Sequence, residues 1–141
     1  MIFIFLLFGL IVGSFLNVLI DRLPRDESVI RGRSYCDKCK KKLLWYDLIP
    51  LLSFLVLKGK CRYCHSPISL YYPIVELTTG VMFVLVYLFL LYDLRFKNYD
   101  LRSILTLGYN IFIASGLIVI FFTDLKYGII PDKIVFPGII V

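Results

Sequence analysis

No lysine or arginine precedes Arg22, and no A-x-A pattern follows the first hydrophobic run. A cleaved signal peptide needs a basic start and a small-residue cleavage site, so residues 1–20 are expected to stay in place as a helix. The chain also lacks any motif that reads DNA or RNA, so its net charge of +6 does not point to a nucleic-acid partner. No Gly-rich loop of the kind that cradles a nucleotide is present, and there is no internal repeat or low-complexity segment. Acid is scarce, with ten Asp and Glu against sixteen Lys and Arg.

Apolar residues make up 60% of the 141, where a soluble domain has about half. The excess lies in long runs. Residues 1–20, "MIFIFLLFGLIVGSFLNVLI", are uncharged and long enough to cross about 30 Å of hydrocarbon as a helix. Second and third spans are expected at about 71–92 and 103–122, joined by the polar 93–102. Tyr71 and Tyr92 bracket the second as interfacial aromatics do. The final "IVFPGIIV", 134–141, begins another apolar run that is too short to span, which suggests a fragment or truncated product. The predicted fold is an all-α polytopic membrane protein with three full transmembrane helices and the start of a fourth at 133–141.

The charge is confined. Residues 21–70 hold eleven Lys and Arg and five acids, which accounts for the whole net charge. A basic loop beside spans is retained on the cytoplasmic side, which places the N-terminus outside, and its charge favours anionic lipid headgroups. Inside this loop, 48–57, "LIPLLSFLVL", is too short to span; it packs on the loop's own core or lies at the membrane interface.

All four cysteines sit in the same loop as two C-x-x-C pairs, Cys36 with Cys39 and Cys61 with Cys64, separated by twenty-one residues. Each C-x-x-C turn aims two sulfurs at one point, and two turns complete a tetrahedron around zinc. Four closed thiolates leave no open position, so such a zinc is structural. The competing readings are a redox pair and unliganded thiols; the reducing compartment implied by the basic loop disfavours disulfide chemistry. His65 is a spare ligand or, with four thiols at hand, a loop residue.

Asp124 closes the apolar "LIVIFFTD". A carboxylate at a membrane boundary is costly and so a functional candidate, against the plainer reading of an acid capping a span in water. Glu76, early in the second span, is expected to accept a hydrogen bond or pair with a loop cation, in a structural or substrate-positioning role. Gly13 and Ser14 suit close helix packing, and Asn17 an interhelical hydrogen bond. Arg22 and Arg25 read as charge anchors, and Trp45, Tyr46, Tyr71 and Tyr72 as interfacial aromatics.

Four stretches, "GSFLNVLIDRLP" (13–24), "WYDLIPLLSFLVLKGKCRYC" (45–64), "ISLYYPIVELTTG" (68–80) and "TDLKYGIIPD" (123–132), together resemble the bacterial type IV prepilin peptidase family, also called prepilin leader peptidase/N-methyltransferase. The resemblance runs in order along nearly the whole chain. It implies an inner-membrane aspartic endopeptidase that removes the basic leader of type IV prepilins and type II secretion pseudopilins after a Gly, at the cytoplasmic face. It also implies that S-adenosylmethionine then methylates the new N-terminus. On this reading 21–70 is the methyltransferase-associated module and 71–141 the start of the peptidase domain. Asp124 corresponds to the first catalytic aspartate of the D-x-x-x-x-x-I-P-D pattern, with Asp132 as a flanking motif residue. The family's second aspartate lies in a G-x-G-D motif, which this sequence does not contain, so the 141 residues alone are expected to be inactive as a peptidase. The non-enzymatic alternative is a degenerate zinc-loop membrane module in pilus or type II secretion assembly.

Overall fold

The computed structural model describes residues 1–29, 32–92 and 101–128. The order is α1 (Ile2–Arg22), a 3-10 turn (Leu23–Arg25), a second 3-10 turn (Trp45–Leu48), the short α2 (Leu52–Val56), α3 (Tyr71–Tyr92) and α4 (Leu101–Tyr127). Among the described residues there is no named strand, only two isolated bridges. α1 (with the turn that follows it), α3 and α4 are each long and apolar enough to cross a membrane, which fits a multi-pass membrane protein. The anticipated fourth run, 133–141, lies outside the described residues. α4 runs past the expected boundary at 122 to Tyr127, since "TDLK" contains no breaker and Gly128, at φ +64°, ends the helix by donating its N–H to Asp124 O at 2.7 Å.

α1 and α3 pack antiparallel. Phe5 stacks on Tyr87 with centroids 4.3 Å apart, and nearer the loop Asn17 Nδ2 donates to Tyr72 O at 3.1 Å. Small residues set the close approach between them. A Cβ on Gly9 would lie 2.7 Å from Gly80 Cα, and one on Gly13 would lie 2.8 Å from Glu76 Cα. Gly9 and Gly13 thus form a G-x-x-x-G stripe that admits the α3 backbone, the packing lipid-embedded helices use where no hydrophobic drive exists between them. Gly108 and Gly116 on α4 face open space.

α4 joins at the loop end of this pair. Leu16 and Ile20 of α1, Val75 of α3, and Ile118, Val119 and Phe122 of α4 form the buried core. Tyr71 OH donates to Phe122 O, and its ring meets Phe122 edge-on. The outer faces carry exposed Phe3, Leu7, Ile11, Leu85, Phe89, Phe112 and Leu117, as lipid-facing surfaces should.

Candidate functional site

The end of α1, the start of α3 and the end of α4 meet at Asp21. Its carboxylate accepts Tyr72 OH at 2.9 Å, Lys126 Nζ at 2.5 Å and Tyr127 OH at 3.3 Å. The Lys126 ammonium lies 4.8–5.5 Å from the ring centroids of Tyr71, Tyr72 and Tyr127, close enough for cation–π attraction to add to the ion pair. Hydropathy places Tyr71 and Tyr72 at an interface; it does not reveal that they wrap one lysine. Arg25 Nη2 donates to Tyr127 OH at 3.4 Å. Arg22 is buried, donating to Ser28 O at 2.9 Å and Arg33 O at 3.3 Å. It therefore organises the root of the cysteine loop as well as carrying charge.

The two C-x-x-C turns share one backbone plan. Cys36 N–H donates to Lys41 O and Lys40 N–H to Cys36 O; Cys61 N–H donates to Ser66 O and His65 N–H to Cys61 O. Each turn closes on a left-handed residue, Lys40 at φ +56° and His65 at φ +53°, and each is flanked by one bridge, Tyr35 to Lys42 and Lys60 to Pro67. The sequences "CDKCKKK" and "CRYCHSP" share only the cysteines, so this repeat is hidden from a reading by residue type. It also accounts for His65, which occupies the turn-closing position.

The turns converge. All four thiol sulfurs lie within 4.8 Å of one another, and Cys36 Sγ is 3.8 Å from Cys64 Sγ. A tetrahedron with Zn–S bonds of 2.3 Å has edges of about 3.8 Å. The donor set therefore fits a closed four-thiolate metal site. The electrostatics fit as well. The Cys36 thiol is pushed down to about 6, chiefly by the backbone N–H of Cys39. That of Cys64 is lowered by the Ser66 hydroxyl and backbone N–H. Cys39 moves the other way, to about 11: the Lys41 N–H lowers it, but desolvation and the surrounding thiols outweigh that. Four sulfurs this close share charge poorly without a cation. Across the loop, Asp47 accepts Arg62 Nε at 2.7 Å and Leu44 N–H at 3.2 Å, tying the two halves together.

The remaining sequence candidates are spread out. Asp124 is exposed in the last turn of α4, at the same end of the bundle as the cysteine loop. Glu76 is buried in the second turn of α3 and accepts Leu51 N–H at 2.8 Å. It is engaged with the loop backbone, an anchoring contact that spacing does not foretell. Ser14 donates to Leu48 O at 3.4 Å, so its partner is likewise the loop. Asp132 lies outside the described residues.

Residues 7–90 match the family model described as the bacterial peptidase A24 N-terminal domain. Among curated proteins, the Myxococcus xanthus prepilin leader peptidase/N-methyltransferase is 44% identical over 140 residues, 99% of this chain and 38% of its own length. The Vibrio cholerae protein of that name is 40% identical over 95% of this chain and 52% of its own length, and the Bacillus subtilis one 37% over 95% and 50%. The chain thus spans about half the length of these relatives, or less. No solved structure matches it significantly.

Proposed function

The chain belongs to the bacterial A24 peptidase family, whose N-terminal domain it carries at residues 7–90, and we propose that it is the N-terminal part of an inner-membrane enzyme that removes prepilin or pseudopilin leaders. Asp124 supplies one of the two carboxylates. Aspartic proteolysis needs a pair: the ionised member takes a proton from water, and the protonated one donates to the scissile carbonyl oxygen. Water adds to the carbonyl carbon, and the amine leaves with a proton returned to it. The partner carboxylate of the family pattern, in G-x-G-D, is absent from these 141 residues, and this chain on its own is inactive. Asp132 and Glu76 support the site, Glu76 by holding the loop.

The cysteine loop is a zinc-folded module on the cytoplasmic side, with Cys36, Cys39, Cys61 and Cys64 as ligands. Bound zinc supplies cross-linking of the loop and no open coordination position. The module serves methylation of the newly exposed N-terminal amine, with S-adenosylmethionine as donor; the relatives' names support an N-methyltransferase activity in general, and the resemblance supplies the donor and the module.

The observation that carries the reading is the Asp21–Lys126 contact. It ties the last turn of α4, two residues beyond Asp124, to the root of the cysteine loop. The test is a chimaera joining this chain to the C-terminal remainder of the Myxococcus xanthus relative, assayed for leader removal from a prepilin. Cleavage should require Asp124, with Asp124→Asn folded, zinc-loaded and inactive. Undiminished cleavage by Asp124→Asn refutes the assignment.

A further inference from the structure

Residues 48–57 do not stand away from the bundle. Leu48 O accepts from Ser14, seven residues before Asp21 along α1, which is about 10 Å inside the helix end. Leu51 N–H donates to Glu76, five residues into α3, or about 7.5 Å from its start. Leu48 and Pro50 line a cleft against Ile11, Ser14, Phe15 and Val18 of α1. The segment therefore descends beside the spans to a depth where irregular backbone needs protein partners. Ser14 and Glu76, polar side chains on largely apolar helices, supply them.

Past that anchor the chain turns at Leu51, φ +56°, into α2. Leu52, Leu55 and Val56 share one face of α2, at i, i+3 and i+4, and are 56%, 70% and 68% exposed. Phe54 faces the other way, against Gly59. Trp45, just upstream, is 76% exposed. Lys58, Lys60, Arg62 and His65 follow, lining a shallow cavity of about 350 Å³ with Val56 and Leu57. An exposed apolar face on a segment anchored beside the spans, with cations following it, matches a leaflet with anionic headgroups.

We propose that residues 48–57 form a membrane-docking element: Leu52, Leu55 and Val56 enter the boundary between headgroups and acyl chains of an anionic leaflet, and Lys58 and Lys60 meet the headgroup phosphates. The element fixes the height of the cysteine module above the bilayer, and it holds whether or not the chain takes part in proteolysis.

Trp45 is the only tryptophan, so fluorescence reads the site directly. The full chain, and a Trp45→Phe/Leu55→Trp variant, are placed in nanodiscs of phosphatidylcholine alone or mixed with phosphatidylglycerol. The lipids are brominated either near the headgroup or near the chain ends. The indole at 55 should be quenched most by bromine near the headgroup, little by aqueous iodide, and more strongly in the mixed membrane. Lys58→Gln/Lys60→Gln should remove that lipid preference while leaving zinc content unchanged. Quenching by iodide and not by bromine overturns the proposal, because the segment would then stand in water. Shielding from both quenchers also overturns it, since a protein contact would then cover the face. Equal bromine quenching in the two membranes refutes the anionic preference. Native Trp45, read in the unsubstituted chain, keeps the test valid if the Leu55→Trp variant fails to fold; its quenching by iodide alone overturns the proposal in the same way.

Discussion

Asp21 on α1 receives the Lys126 ammonium of α4 at 2.5 Å, across 105 residues of sequence, within a ring of three tyrosines. With the Tyr127 hydrogen bonds to Asp21 and Arg25, this contact joins the first and third spans at the foot of the cysteine loop. Both side chains are about one-quarter exposed, so the pair is partly screened and its contribution falls between that of a surface pair and that of a buried one. Lys126→Met should lower stability by on the order of 1 kcal/mol. The matched Asp21→Asn/Lys126→Met double variant should lose less than the sum of the single variants. Thermal melts of the four proteins in one detergent provide the cycle, and strict additivity would show that the contact contributes nothing.

The glycine stripe gives a contrast between two helices. Gly9→Ala and Gly13→Ala each push a methyl into the α3 backbone and should cost roughly 1–3 kcal/mol. Gly116→Ala, on α4 with open space around it, should be neutral or stabilise by up to about 1 kcal/mol. Melts of the three variants check this. Equal effects would mean that α1 and α3 are not in backbone contact.

Glu76 acts on Leu51 through an acceptor oxygen. Glu76→Gln keeps an oxygen there and should be tolerated. Glu76→Ala leaves the half-buried Leu51 N–H without a partner, at a cost of about 1 kcal/mol. Amide hydrogen exchange at residues 48–57 should rise in the alanine variant alone. If the glutamine variant exchanges equally fast, the negative charge is what matters, and hydrogen bonding by itself does not hold the loop.

If the four cysteines hold zinc, removing it should unfold the loop and spare the spans. Structural zinc in small cysteine modules is worth about 10–16 kcal/mol, more than the contacts of a loop this short supply. Chelation, or Cys61→Ser at the one buried ligand, should abolish zinc binding and expose the remaining thiols to alkylation. The helical circular dichroism of α1, α3 and α4 should be retained. Full thiol protection without zinc would contradict the metal site.

Much of this was legible in the residues. Three uncharged or nearly uncharged runs gave three helices, because a bilayer of fixed thickness demands runs of fixed length. The C-x-x-C spacing predicted convergent sulfurs, because the chemistry of a tetrahedral ion fixes the turn. Partners were not legible. Ser14, Asn17 and Glu76 were visible as polar residues in apolar helices, yet nothing local says that Leu48, Tyr72 and Leu51 meet them. α4 continues five residues past the expected span end at 122, since a polar residue ends a hydropathy run but not a helix. The likeness of the two knuckles beyond their cysteines resides in the left-handed backbone at Lys40 and His65, which their different side chains do not announce.

A peptidase site beside the cysteine module requires that module and Asp124 to lie at one face of the membrane, and side-specific labelling tests that most directly. A membrane-impermeant maleimide is applied to intact cells and to inverted vesicles carrying His65→Cys or Asp124→Cys, with the unsubstituted chain as the background for its four native thiols. Both positions should label in inverted vesicles and in neither case from outside. Labelling of the two from opposite faces, or of position 65 on intact cells, would contradict it.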